Sequence, residues 1–124
     1  MATAEITEFI VPVQPATKEI LQALGNPEIV ATSALRRYLV DVCWQRIEQA
    51  ERRIAEYEQI YGTTYEAFNQ RITTDEAFLE VTHQNHPTWE ADAAEWDYRL
   101  EELQTWRARL EKILRESSPL LEQS

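Results

Sequence analysis

The stretch "VDVCWQRIEQAERRIAEYEQIY", residues 40–61, decides the fold of this chain. Apolar or small side chains recur in it at alternating spacings of three and four residues: Val40, Cys43, Ile47, Ala50, Ile54, Tyr57 and Tyr61. This repeat is typical of the seam of a helix that packs along a second helix. The pattern predicts a long helix over residues 33–61.

A second seam of the same kind lies near the C-terminal end and predicts a helix over residues 87–116. Its members are Trp89, Ala93, Trp96, Leu100, Leu103, Leu110 and Leu114, and Arg107 interrupts them. Between the two seams, Gly62 is suited to ending a helix, and Thr63 and Thr73 each precede a glutamate at capping-box spacing. The sequence therefore predicts a long antiparallel helical hairpin joined by short helices.

The N-terminal region predicts a strand and a short helix. The β-branched run "EITEFIVPVQ", residues 5–14, favours a short β-strand at a sheet edge because Pro12 lacks an N–H. Such a strand requires a partner, and its twin in a dimer would supply one. Residues 15–24 favour a helix, and "NPE" at 26–28 starts another. A restart of that helix after a kink near residues 32–33 stays open.

These elements together predict a mainly α, dimeric protein made of the hairpin, its short connecting helices and the short N-terminal β-strand. The predicted organisation is an N-terminal strand and helix over 1–30 that serves as a dimerisation ribbon, a hairpin domain over 31–118 and a frayed tail over 119–124. The open faces of a two-helix hairpin also require a dimer or another partner to cover them.

The chain has 124 residues and a formal net charge of −10, from 22 acidic and 12 basic side chains. This charge disfavours DNA binding over the surface as a whole. It suits either a basic protein partner or simple solubility. The single Cys43 allows no intrachain disulfide, and no apolar run reaches membrane-spanning length. The stretch "MATAEITEF" is acidic and lacks a basic n-region, so we expect no secretory signal. These features predict a cytoplasmic protein without membrane attachment.

The stretch "HQNHPTWEADAAEWDY", residues 83–98, holds both histidines, two tryptophans and four carboxylates. Aromatic anchors among acidic side chains favour a partner-binding face. The alternative is that the tryptophans pack in the core and the acids favour the positive end of a helix dipole. The candidate partner-binding residues are Trp89, Glu90, Asp92, Glu95, Trp96, Asp97 and Tyr98.

The sequence gives little evidence for a catalytic or metal-binding site. Glu80, His83 and His86 follow the Glu-x-x-His spacing of carboxylate metal sites, but only one such unit occurs and Pro87 follows it. Cys43 lies on the seam with no histidine nearby in sequence, and no glycine-rich phosphate loop is present. We therefore expect no enzyme activity, no cofactor, no metal site and no catalytic residue.

Residues 5–60 resemble the ribbon-helix-helix arrangement in their order of strand, short helix and longer helix. The resemblance implies a dimer in which "EFIVPV" forms the ribbon and Arg36 and Arg37 lie near the DNA backbone. Neither face of this ribbon supplies the side chains typical of base readout. A DNA-binding autorepressor that uses these two arginines is the alternative function.

Residues 35–115, with "YGTTYEAF" followed by "HPTWEADAAEWDYRLEEL", are similar to small acidic helical antitoxins of bacterial toxin–antitoxin pairs. The resemblance implies that the chain neutralises a small basic protein, such as a toxin, by covering its active surface. The leading functional prediction is a non-catalytic, homo-oligomeric binding module of this kind.

Overall fold

The computed structural model describes residues 8–116, which form five helices. They are α1 (Pro15–Leu24), α2 (Pro27–Tyr61), α3 (Tyr65–Thr74), α4 (Glu76–Asn85) and α5 (Trp89–Glu116). The chain divides into two compact units, Met1–Arg37 and Tyr38–Ser124. In this described part, no helix has the combined length and apolarity that a bilayer crossing requires. The predicted tail over 119–124 lies outside the described residues.

The predicted N-terminal β-strand is wrong for the part that can be compared. Residues 8–13, the "EFIVPV" of the expected ribbon, form neither strand nor helix, while residues 5–7 lie outside the described range. The side chains of Phe9 and Ile10 are 78% and 93% exposed. A β-branched run is stable as a strand only when it has a hydrogen-bonding partner, and no described segment provides one.

The helix starts of the first unit follow the local sequence signals. The helix α1 has the predicted bounds, with Pro15 as its first residue. The Oδ1 atom of Asn26 accepts hydrogen bonds from the backbone N–H groups of Glu28 and Ile29, at 3.0 and 3.3 Å, and so caps α2. The helix α2 then continues without a break through residues 32–33, so the open question of a restart there is answered.

The second unit contains the predicted antiparallel hairpin. Near its open end, Cys43 and Ile47 of α2 form a buried cluster with Leu110 of α5. Near the connector, Tyr57 of α2 stacks on Trp96 of α5, at 5.7 Å between ring centroids. From the open end to the connector, the contacting residues have rising numbers in α2 and falling numbers in α5. The two helices are therefore antiparallel. The two seams predicted from the sequence are therefore the surfaces that pair.

The connector consists of α3 and α4, which begin at different caps from those predicted. The hydroxyl of Thr64, not of Thr63, accepts a hydrogen bond from the N–H of Ala67 at 3.3 Å and starts α3. The carboxylate of Asp75 accepts from the N–H of Phe78 at 3.0 Å and starts α4. Phe68 and Ile72 of α3 are buried against the hairpin, so the connector forms part of the core.

Candidate partner-binding surface

Trp96, one of the predicted partner-binding residues, lies at the centre of the core and has no exposed surface. Four aromatic rings surround it with ring centroids 5.4–5.7 Å away: Tyr57, Tyr61, Tyr65 and Phe68. We call these five residues the aromatic cluster. Aromatic pairs at such separations add to the free energy gained by burying their area. Trp96 therefore stabilises the fold and is closed to a partner.

Glu95 is the centre of a polar network at the edge of the aromatic cluster. Its carboxylate accepts hydrogen bonds from Arg53 Nη2 at 2.8 Å, from Arg99 Nη2 at 3.3 Å and from the hydroxyl of Tyr57. The bond from Arg53 lowers the pKa of Glu95 from 4.5 to about 2, and the bond from Tyr57 contributes next. Burial and the hydrogen bond to Glu95 raise the pKa of Tyr57 to about 12. Glu95 therefore links α2 to α5 as a structural carboxylate.

Asp92 and Trp89 are also engaged within the fold. The hydroxyl of Tyr61 donates a 2.6 Å hydrogen bond to Asp92 Oδ2, while burial and this bond raise the pKa of Tyr61. The indole ring of Trp89 lies edge-on to Phe68, with ring centroids 6.1 Å apart. Trp89 is half-buried, so its contribution to a partner surface is limited to its exposed edge.

The remaining predicted residues lie on the solvent side of α5. Glu90 and Asp97 are seven residues apart and Glu101 follows after four, so their side chains share one helix face. All three are exposed, and none makes an ion pair with another of residues 8–116. Tyr98, 52% exposed, flanks them. We call Glu90, Asp97, Tyr98 and Glu101 the outer face.

The charge around the outer face is strongly acidic. Residues 51–103 contain 13 acidic and four basic side chains. Two of those basic side chains, Arg53 and Arg99, are bound to Glu95, and Arg71 lies 3.7 Å from Asp75. Arg99 also lies over the ring of Tyr98, with its guanidinium carbon 5.7 Å from the ring centroid. The excess of acidic over basic side chains still gives residues 51–103 a net negative charge. A cation-rich surface would be attracted to it.

The two histidines serve the packing of the connector. His83 Nδ1 accepts a 3.1 Å hydrogen bond from the indole N–H of Trp89, and the ring of His86 lies 4.8 Å from that of Tyr61. Glu80 and His83 line an open cleft on α4. Within residues 8–116, no group of three or more His, Cys, Asp or Glu side chains is arranged to hold a metal ion.

Arg36 and Arg37, the candidate nucleic-acid-binding residues, lie in the interior of α2, more than two turns after its first residue. In a ribbon-helix-helix arrangement they would lie near the helix N-terminus, which here is at Pro27. Arg37 is exposed and Arg36 is half-buried. Residues 8–13 form no strand, so the ribbon that the DNA-binding arrangement requires is absent from that segment.

The structure thus separates the seven predicted residues into one core member (Trp96), one half-buried aromatic ring (Trp89), two internal carboxylates (Asp92 and Glu95) and three residues of the outer face (Glu90, Asp97 and Tyr98). Sequence reasoning missed Glu101, although its spacing of four residues from Asp97 and of eleven from Glu90 marks the same helix face. No family model matches the chain, and searches of curated proteins and of solved structures return no match.

Proposed function

We propose that the chain is a non-catalytic protein-binding module, antitoxin-like in action, that neutralises a small basic protein in the cytoplasm. The observation that carries the proposal is the outer face, where three carboxylates without ion-pair partners within residues 8–116 lie beside an exposed tyrosine. Tyrosine is one of the residue types enriched in binding hot spots. The proposed role requires no cofactor, metal ion or catalytic group.

The fold supports this use of the outer face because the two sides of α5 have separate tasks. Trp96, Glu95 and Asp92 hold α5 against the rest of the hairpin. The outer face contributes nothing to those contacts and is presented on a rigid helix of 28 residues. Rigid presentation reduces the entropy lost on binding. Negative charge there would accelerate encounter with a basic partner.

The proposal is tested by affinity capture from the native cytoplasm with three baits. They are the wild-type chain, a triple charge reversal on the outer face (Glu90→Lys, Asp97→Lys and Glu101→Lys), and a matched triple reversal elsewhere (Glu58→Lys, Glu66→Lys and Glu80→Lys). The control positions are exposed and form no ion pair among the described residues. Both variants change the net charge equally and leave Asp92 and Glu95 intact.

We expect the wild type and the control to retain the same small basic protein in stoichiometric amount. The outer-face variant should lose that protein while its helix content by circular dichroism stays at the wild-type level. Equal retention by all three baits would remove the outer face from the proposal. Recovery of no basic protein by the wild type would remove the antitoxin-like function itself.

A further inference from the structure

A second surface of the hairpin carries an apolar groove at the open end. It has a volume of about 440 Å³ and is lined by Trp44, Ile47 and Glu51 of α2 and by Arg107, Leu110 and Leu114 of α5. Trp44 is 53% exposed, which is unusual for the largest apolar side chain. We call this surface the Trp44 groove.

The Trp44 groove continues the same hairpin surface that the connector covers at the other end. On α5, Trp89, Trp96 and Leu100 pack in the cluster that contains residues of α3. Arg107 and Leu114 follow Leu100 at spacings of seven residues, so they lie on the same side of the helix. The connector half of this surface therefore has its covering helices, and the open half lacks an equivalent layer within residues 38–116.

The two core clusters differ in how many side chains they bury, and the difference follows the covering helices of the connector. Where α3 is present, Tyr57 and Trp96 are 2% and 0% exposed. At the open end, the buried cluster consists of only Cys43, Ile47 and Leu110, all from α2 and α5. Two helices alone bury a narrow seam, and further helices are needed to enclose the apolar side chains at its edges. Two further helices would enclose the apolar side chains at the edges of the open end in the same way.

The charge of the open end favours a second copy of the chain as the occupant of the groove. Residues 38–50 and 104–116 together contain five basic and four acidic side chains, whereas residues 51–103 contain four basic and 13 acidic ones. At the groove, Arg107 already pairs with Glu51 at 2.8 Å, and Arg115 with Glu111 at 2.8 Å. A highly basic partner would gain little here and would favour the acidic connector end. Two copies of this acidic chain repel each other least at the open end.

We propose that a second copy of the chain occupies the Trp44 groove, so that two hairpins pack face to face around a two-fold axis. Each hairpin supplies the two helices that the other lacks, which gives a four-helix arrangement at the open ends. The interface is isologous, with Trp44 of each copy inserted beside Leu110 and Leu114 of the other. A tryptophan enclosed at the centre of such an interface is the type of residue that dominates binding.

The dimer is tested by sedimentation equilibrium of the full chain between about 1 and about 100 μM, because association follows mass action. The variant Trp44→Glu places a charge in the groove. The matched control Ile60→Glu changes a residue of the same helix that is 47% exposed and lies outside the groove. Sixteen residues separate the two positions, which places them about 160° apart around α2. Circular dichroism checks that both variants remain helical.

We expect the wild type and Ile60→Glu to be dimers and Trp44→Glu to dissociate at least about a hundredfold more readily. Added salt should tighten the dimer, since it screens repulsion between two acidic chains. A wild type that stays monomeric throughout the concentration range overturns the proposal. So does a Trp44→Glu dimer of wild-type affinity. If the wild type is monomeric and removal of residues 117–124 exposes Trp44 further, the tail fills the groove instead.

This dimer and the proposed partner complex use different surfaces, so their tests are independent. The outer-face reversals leave the groove intact and should leave the dimer intact. Salt acts in opposite directions on the two complexes, because it weakens attraction between an acidic face and a basic protein. Failure of the dimer test therefore leaves the proposed function standing, and failure of the capture experiment leaves the dimer standing.

Discussion

The substitution Glu95→Gln removes the negative charge at the centre of the polar network while keeping the side-chain shape. The wild-type carboxylate accepts from Arg53, Arg99 and the hydroxyl of Tyr57. A glutamine can still accept on its amide oxygen. Its NH₂ group, however, is a donor, so it cannot accept from the second arginine. The variant therefore loses charge-assisted bonds between α2 and α5 and leaves the aromatic cluster otherwise unchanged.

The magnitude follows from the pKa of the carboxyl. A fall from 4.5 to about 2 corresponds to about 3 kcal/mol of interaction with the ionised form. The side chain of Glu95 keeps 33% of its surface exposed, so solvent screening reduces the expected loss to about 2 kcal/mol. With a urea dependence of about 2 kcal/mol per molar, the unfolding midpoint should fall by about 1 M.

The assay is urea unfolding followed by circular dichroism, with Glu90→Gln as the matched control. Glu90 is exposed on the same helix and makes no ion pair within residues 8–116, so its substitution should change stability by less than about 0.5 kcal/mol. Because folding lowers the pKa of Glu95, its contribution is complete above about pH 5 and is lost as the pH falls toward 2.

The difference between wild type and Glu95→Gln should therefore stay constant from pH 7 to about pH 5 and close toward pH 2. Two results would refute the structural role of Glu95. One is a midpoint equal to that of Glu90→Gln at pH 7. The other is a stability difference that does not change as the solution is acidified.

Three further predictions concern the core and its connections. Trp96→Ala should destabilise the fold by about 3–5 kcal/mol in urea unfolding, because Trp96 has no exposed surface. The control Tyr98→Ala should cost under about 0.5 kcal/mol. Similar losses of stability for both variants would contradict the assignment of Trp96 to the core. Gly62→Ala should reduce the free energy of unfolding by about 1 kcal/mol, because φ is +69° there; steric contact adds nothing, since an added Cβ meets no atom within 4 Å. Gly62→Asn should reduce it less. Thermal melts that rank the two variants the other way would count against a left-handed turn. Cys43 is 6% exposed, so its thiol should react with a chromogenic disulfide at least about a hundredfold faster in denaturant than in buffer. Equal rates would show that α2 and α5 separate readily at the open end.

The hairpin could be predicted from the sequence because a heptad-like repeat depends on local spacing alone. Cys43, Ile47 and Tyr57 were placed on the seam by that spacing, and all three are buried. Leu114 was placed on the same type of seam but is 45% exposed. A straight α-helix has 3.6 residues per turn, so a repeat of 3.5 drifts around its surface toward the end. The β-strand failed because a strand depends on a partner that local sequence does not reveal.

The sequence did not distinguish the internal carboxylates of α5 from its exposed ones, because the same residue type occupies both kinds of position on one helix. Asp92 and Glu95 look like Glu90 and Asp97 in sequence, and both kinds favour the first turns of a helix. Asp92 and Glu95 differ from the exposed pair because they accept hydrogen bonds from the hydroxyl groups of Tyr61 and Tyr57, which lie more than thirty residues away in sequence. Those contacts depend on how α2 and α5 align, which the sequence pattern does not specify to within a residue.

The proposed function depends above all on the outer face, and a calorimetric titration of the captured partner tests it. The wild type and the triple outer-face reversal would be titrated at two salt concentrations. We expect the reversal to raise the dissociation constant by at least about tenfold at low salt, as three weakened ion pairs imply. The difference should shrink as salt is added. Equal affinities for both proteins at low salt would contradict an acidic binding face on α5.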